Sequence, residues 1–201
     1  MYKNIIFDIG NVILDFNPKD YLSQKISEPD KVLEVHKELF QSEEWVMLDR
    51  GVITEEEARK VIINRSKANG DLIKLAFEGW YDILTPIEST VEVIKKLKEL
   101  KYNLYFLSNF HLLAFEHITE KYDFFKLFDG GIVSYKEKLI KPEEAIYTRI
   151  VEKYNLNPEE SIFIDDVEEN IQGAKKLNFN TILLKDPTKL VEGLRAYGVE
   201  L

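Results

Sequence analysis

Short, uninterrupted apolar runs punctuate the chain, and over its second half they alternate with stretches of helical periodicity. Ile5-Ile6-Phe7 has no polar alternation, which predicts a strand over residues 4–7 buried on both faces. Four more runs share that character: 103–107, 131–133, 161–164 and 181–184. Apolar residues at helical spacing predict helices over 87–100, 111–122, 143–154, 168–177 and 188–197. Strands and helices in alternation imply an α/β fold with a parallel sheet and right-handed crossovers.

Between about Asn17 and Thr85 the strand runs are missing and helical periodicity dominates. Pro29-Asp30 opens one helix and Ser42-Glu43-Glu44 another, while Thr54 with Glu57 three residues later spells a capping box. Asn69-Gly70 breaks that helix and another begins near Asp71. The expected division is a core made of residues 1–16 and 86–201, interrupted by an all-helical insertion over 17–85.

The 201 residues include no cysteine, which excludes disulfides and thiolate metal sites. A net charge of −9 gives no basic footprint for nucleic acid. No apolar run has the length of a membrane span, and the opening MYKNIIF enters a strand without a signal-peptide core. These features lead us to expect a cytoplasmic protein without nucleic-acid or membrane partners, either monomer or homodimer.

The candidate chemistry falls at strand ends. Asp8 closes the first apolar run, where open α/β sheets bind ligands; it suits a nucleophile, a metal ligand or a turn aspartate. Ser108-Asn109 follows the second run and offers a hydroxyl and an amide to phosphate oxygens, or a helix N-cap. Lys141-Pro142 follows the third, with the proline suited to a first helical position. Asp165-Asp166 closes the fourth. Adjacent carboxylates there suit magnesium, or cap the next helix.

Taken in order, Asp8, Ser108-Asn109, Lys141-Pro142 and Asp165-Asp166 resemble the four motifs of the haloacid dehalogenase superfamily. The likeness covers essentially the whole chain. Within the superfamily, Asp8-x-Gly10-Asn11-Val12, Asp49-Arg50-Gly51-Val52-Ile53-Thr54 and Asp165-Asp166-x-x-x-Asn170 are similar to the small sugar-phosphate phosphatases of the α-D-glucose-1-phosphate phosphatase kind. The resemblance implies a Rossmann-like three-layer core with a C1-type helical cap, and a Mg2+-dependent phosphatase for a small phosphorylated metabolite. In that scheme Asp8 is the nucleophile, Ser108 and Asn109 orient the phosphoryl group, and Lys141 neutralises it. Asp8, the Gly10 carbonyl and Asp166 hold the metal, with Asp165 bound directly or through water.

Three positions depart from the family pattern. Gly10 stands where an aspartate usually supplies the general acid, leaving Asp15 or His111 as substitutes. Lys138 and Asn178 stand where relatives carry glycine. Arg50 suits a substrate hydroxyl or phosphate, or simply a helix C-terminus. Trp45, Phe77, Trp80 and Tyr81 are read as cap core rather than a ligand platform. A 2-haloacid dehalogenase, also lacking an acid at the Gly10 position but needing no metal, is the alternative enzyme; a non-catalytic binding protein is the alternative in kind.

Overall fold

The structure, a computed structural model, describes residues 2–201. Strand β1 (Asn4–Phe7) leads through a short β2 (Leu14–Asp15) into five helices. These are α1 (Pro18–Lys25), α2 (Pro29–Phe40), α3 (Glu43–Arg50), α4 (Glu55–Arg65) and α5 (Gly70–Ala76). The chain returns through β3 (Thr85–Pro86) to α6 (Glu88–Glu99), β4 (Asn103–Ser108), α7 (Leu112–Lys121) and β5 (Gly130–Val133). The remaining elements are α8 (Ser134–Glu137), α9 (Glu144–Tyr154), β6 (Ser161–Asp165), α10 (Glu168–Lys175), β7 (Asn180–Leu183) and α11 (Leu190–Ala196).

Five parallel strands lie in the order β5-β4-β1-β6-β7, so β1 is central and the chain winds outward from it in both directions. Side chains alternate across the sheet. Ile6 and Phe163 face the layer of α9 and α10, packing with Ile146, Ile150 and Ile171. Ile5 and Phe7 face the opposite layer, with Ile94 of α6, Ile118 of α7 and Leu194 of α11. Cap residues Leu39, Leu48, Ile62 and Ile73 belong to this second cluster, so the helical insertion shares the hydrophobic core of the sheet domain.

The Thr54–Glu57 capping box forms on α4 in both directions. Asn178 takes the left-handed conformation expected of a glycine substitute, φ 63°, just past α10. The β2–β3 ribbon pairs Leu14 with Pro86 and Asp15 with Thr85, forming the stem of the insertion. Two-residue strands carry no periodicity, so the sequence pattern did not contain this ribbon. Asp15 accordingly lies in a strand. Pro142 does not open the third-motif helix either: α9 starts at Glu144 with Glu143 as its N-cap.

Candidate active site

Register brings the motifs together. Phe7 is level with Phe106 of β4 and Ile164 of β6, so Asp8 emerges between Ser108 and Asp165 at the carboxyl edge of the three central strands. The Asp8 N–H still donates to Ile164 O at 2.8 Å, which fixes its backbone to the sheet.

The Asp8 carboxylate is held through one oxygen. Oδ1 accepts from the Ile9 N–H at 2.7 Å and the Ser108 hydroxyl at 2.6 Å, and lies 2.8 Å from the Lys141 ammonium. None of these contacts engages Oδ2, which is left as the open oxygen. Burial pushes the Asp8 pKa up to about 7; the Lys141 charge opposes that rise and Asp165 adds to it.

Lys141 is itself buried, which alone would favour its neutral form. Asp165, with Nζ to Oδ2 at 2.6 Å, and Asp8 together outweigh that penalty and raise the Lys141 pKa. Asp165 is fully buried, and its Oδ1 accepts from the Val167 N–H at 2.8 Å and the Asn170 amide at 3.1 Å. Asp166 is half-buried and accepts from the Asn11 amide at 3.2 Å through Oδ2. Its pKa is raised chiefly by burial, with Asn11 working against the shift and Asp165 with it.

One carboxylate oxygen from each of Asp8, Asp165 and Asp166 can be chosen so that all three lie within 4.8 Å of one another. When ionised, three carboxylates face one ammonium, leaving an uncompensated charge that is costly at such depth. A divalent cation offsets it, and an all-oxygen donor set suits magnesium. Asp8 and Asp166 each keep an oxygen outside the hydrogen-bond network. Both oxygens of Asp165 are engaged, so its first task is to hold Lys141.

Neither strand-end pair serves as a helix cap. His111 occupies the N-cap position of α7 and Val167 that of α10. Ser108 spends its hydroxyl on Asp8. The Asn109 side chain brackets the Lys141 peptide, accepting from its N–H at 2.8 Å and donating to its carbonyl at 3.1 Å. It therefore ties the second motif to the third.

Arg50 is not brought to this cluster. Its guanidinium forks onto the Glu143 carboxylate at 2.5 and 3.1 Å and also donates to Lys138 O, bridging cap to core. Lys138 sits at φ 61°, which is why glycine is common at such a position, and its ammonium donates to Gly51 O. Trp45 and Trp80 are buried in the shared core as expected, yet they also wall a cavity of about 100 Å³ whose floor includes Gly10 and Asn109. Ser134, unmarked by any pattern, joins the two parts: its hydroxyl contacts Asp49 O of α3 and accepts from the Phe110 N–H at 2.9 Å.

A central parallel sheet, a helical insertion after β1 and a carboxylate–lysine cluster at the sheet's carboxyl edge define a hydrolase of the α/β class. A family model for haloacid dehalogenase-like hydrolases matches residues 2–178, and the chain belongs to that family. The sesquiterpene phosphatase astK of Aspergillus oryzae is 25% identical over 185 residues, covering 92% of this chain and 91% of that protein. A D-ribitol-5-phosphate phosphatase of Bacteroides thetaiotaomicron is 26% identical over 200 residues, with 90% and 91% covered. Among solved structures, a haloacid dehalogenase-family enzyme from Bacteroides thetaiotaomicron, crystallised as a magnesium complex, superposes with a TM-score of 0.71. That match is at 25% identity and covers 90% of this chain and 92% of the other.

Proposed function

We propose that the protein is a magnesium-dependent phosphatase of a small phosphorylated metabolite, sugar phosphates included, working through an aspartyl phosphate on Asp8. The observation that carries this reading is the Asp8 carboxylate, pinned through Oδ1 by three donors with Oδ2 left open beside a buried ammonium. Oδ2 attacks phosphorus as the ester P–O bond breaks; water then attacks the acyl phosphate and releases inorganic phosphate and free Asp8. Lys141 holds positive charge against the transferring oxygens, where phosphoryl transfer needs it, and Asp165 keeps that ammonium in place. Ser108 fixes the Asp8 rotamer, and Asn109 fixes the Lys141 backbone.

Asp8, Asp166 and the Gly10 carbonyl would hold Mg2+, with Asp165 next to them. When bound, the cation supplies charge neutralisation for the carboxylates and the phosphate. The phosphatase names of two relatives and the magnesium complex among the similar solved structures support the assignment. Carbon-directed dehalogenation would leave the third carboxylate, Asp166, without a task.

The test is phosphate release from a panel of sugar, polyol, nucleotide and aryl phosphates, with Mg2+ or with EDTA. Turnover restricted to the Mg2+ arm is expected. Halide release from a chloro-acid in EDTA, with no phosphate released in any arm, would replace this reading by the dehalogenase.

A further inference from the structure

Gly10 removes the side chain that would protonate the leaving group, and a Cβ built there meets no atom within 4 Å. Gly10 also lines the cavity whose floor includes Asn109. Two titratable side chains line it, His111 from the loop after β4 and Asp49 from cap helix α3. Asp15, the other substitute suggested by sequence, is exposed and lines a different cavity with Asn11 and Asp166.

His111 is only 4% exposed. The Trp45 and Trp80 rings pack against it with centroids 4.3 and 5.4 Å away. Its Nε2 lies 3.1 Å from an Asp49 carboxylate oxygen, but out of line for a hydrogen bond, and neither ring nitrogen has a hydrogen-bond partner. Leaving a buried imidazole unsatisfied costs free energy, and a polar group entering the cavity beside it would lower that cost. Asp49 is anchored for the purpose, because its carbonyl is held by the buried Ser134 hydroxyl.

We propose that His111 is the general acid of the first phosphoryl transfer, with Asp49 as its positioning residue. This rests on the phosphatase reading above. As Asp8 Oδ2 bonds to phosphorus, the P–O bond to the leaving alcohol breaks, and that oxygen takes a ring proton from His111. The neutral imidazole then accepts a proton from the water that attacks the aspartyl phosphate, which returns His111 to its starting state. Asp49, on cap helix α3, places a carboxylate oxygen 3.1 Å from Nε2, so the pair joins a residue of the cap to one of the core.

Leaving-group dependence separates this role from a structural one. A nitrophenolate departs without a proton and an alkoxide does not, so His111→Asn should lower kcat/KM for glycerol phosphate about 100- to 10,000-fold but for 4-nitrophenyl phosphate less than about tenfold. Asp49→Asn, which leaves the buried ring in place, should show the same selectivity at smaller size, and it decides the matter if His111→Asn does not fold. Equal losses on both esters in a folded variant, or no loss on the alkyl ester, would overturn the proposal. A wild-type protein inert toward every phosphate ester with Mg2+ would instead overturn the phosphatase reading on which it stands.

Discussion

Replacing Lys141 by methionine tests the electrostatic design of the site. Its ammonium lies 2.8 Å from Asp8 Oδ1 and 2.6 Å from Asp165 Oδ2, with all three side chains buried. At an effective dielectric constant of about 20, each contact is worth roughly 6 kcal/mol of direct attraction, most of it offset by desolvation. After substitution Asp8 can discharge itself by taking a proton, since its pKa already stands near 7. Fully buried Asp165 is then the charge left behind. Removing one partner of a buried pair costs about 3–5 kcal/mol, whereas removing both charges is far milder. Lys141→Met should therefore lose about 3–5 kcal/mol, which for a domain of this size is a Tm drop of roughly 6–20 °C. Adding Asp165→Asn should recover at least about 2 kcal/mol of that loss. Urea unfolding of the wild type, both single variants and the double, in EDTA so that no cation compensates, gives the coupling energy directly. A double variant no more stable than Lys141→Met, or a single variant within about 1 kcal/mol of wild type, would refute the reasoning.

The raised Asp8 pKa has a sign that can be measured. The unfolded carboxyl ionises near pH 4 and the folded one near 7, so in EDTA the Asp8 contribution is full below about pH 4 and is lost as pH rises toward 7. Asp8→Asn should remove that decline and be more stable than wild type above pH 7; parallel stability curves would contradict it. Arg50→Ala should change kcat/KM less than about threefold and stability by under about 1 kcal/mol, because its Glu143 pair is partly exposed and outside the cavity; steady-state kinetics and a melt check both. Gly131→Ala should destabilise by about 1–3 kcal/mol, since its Cβ would fall 2.2 Å from the Phe106 ring, and a thermal melt reads this directly.

Features carried by local pattern were legible in the sequence. The double-faced burial of β1, the strand ends at Asp8, Ser108 and Asp165, and the Thr54 capping box each depend on neighbours within a few residues. What depends on remote partners was not. Arg50 reads as a plausible substrate ligand until Glu143, 93 positions away, is folded against it. The pairing of Asp49 with His111 and the Ser134 bridge likewise join cap to core over distances with no periodic signature. Trp45 and Trp80 showed only helical spacing, which identifies a buried face but not a cavity wall. Gly10 was legible as a missing acid and Asp15 and His111 as candidate substitutes, whereas only three dimensions place His111 and Asp49 on the wall of the cavity that Gly10 lines and Asp15 on another.

The most direct test of the central claim is the initial rate of phosphate release by wild type and Asp8→Asn, measured side by side in saturating Mg2+ on the best ester of the panel. The wild-type rate should be abolished by EDTA and the Asp8→Asn rate lower by at least about 1,000-fold, with the variant folded. An Asp8→Asn protein that releases phosphate at the wild-type rate would contradict that claim.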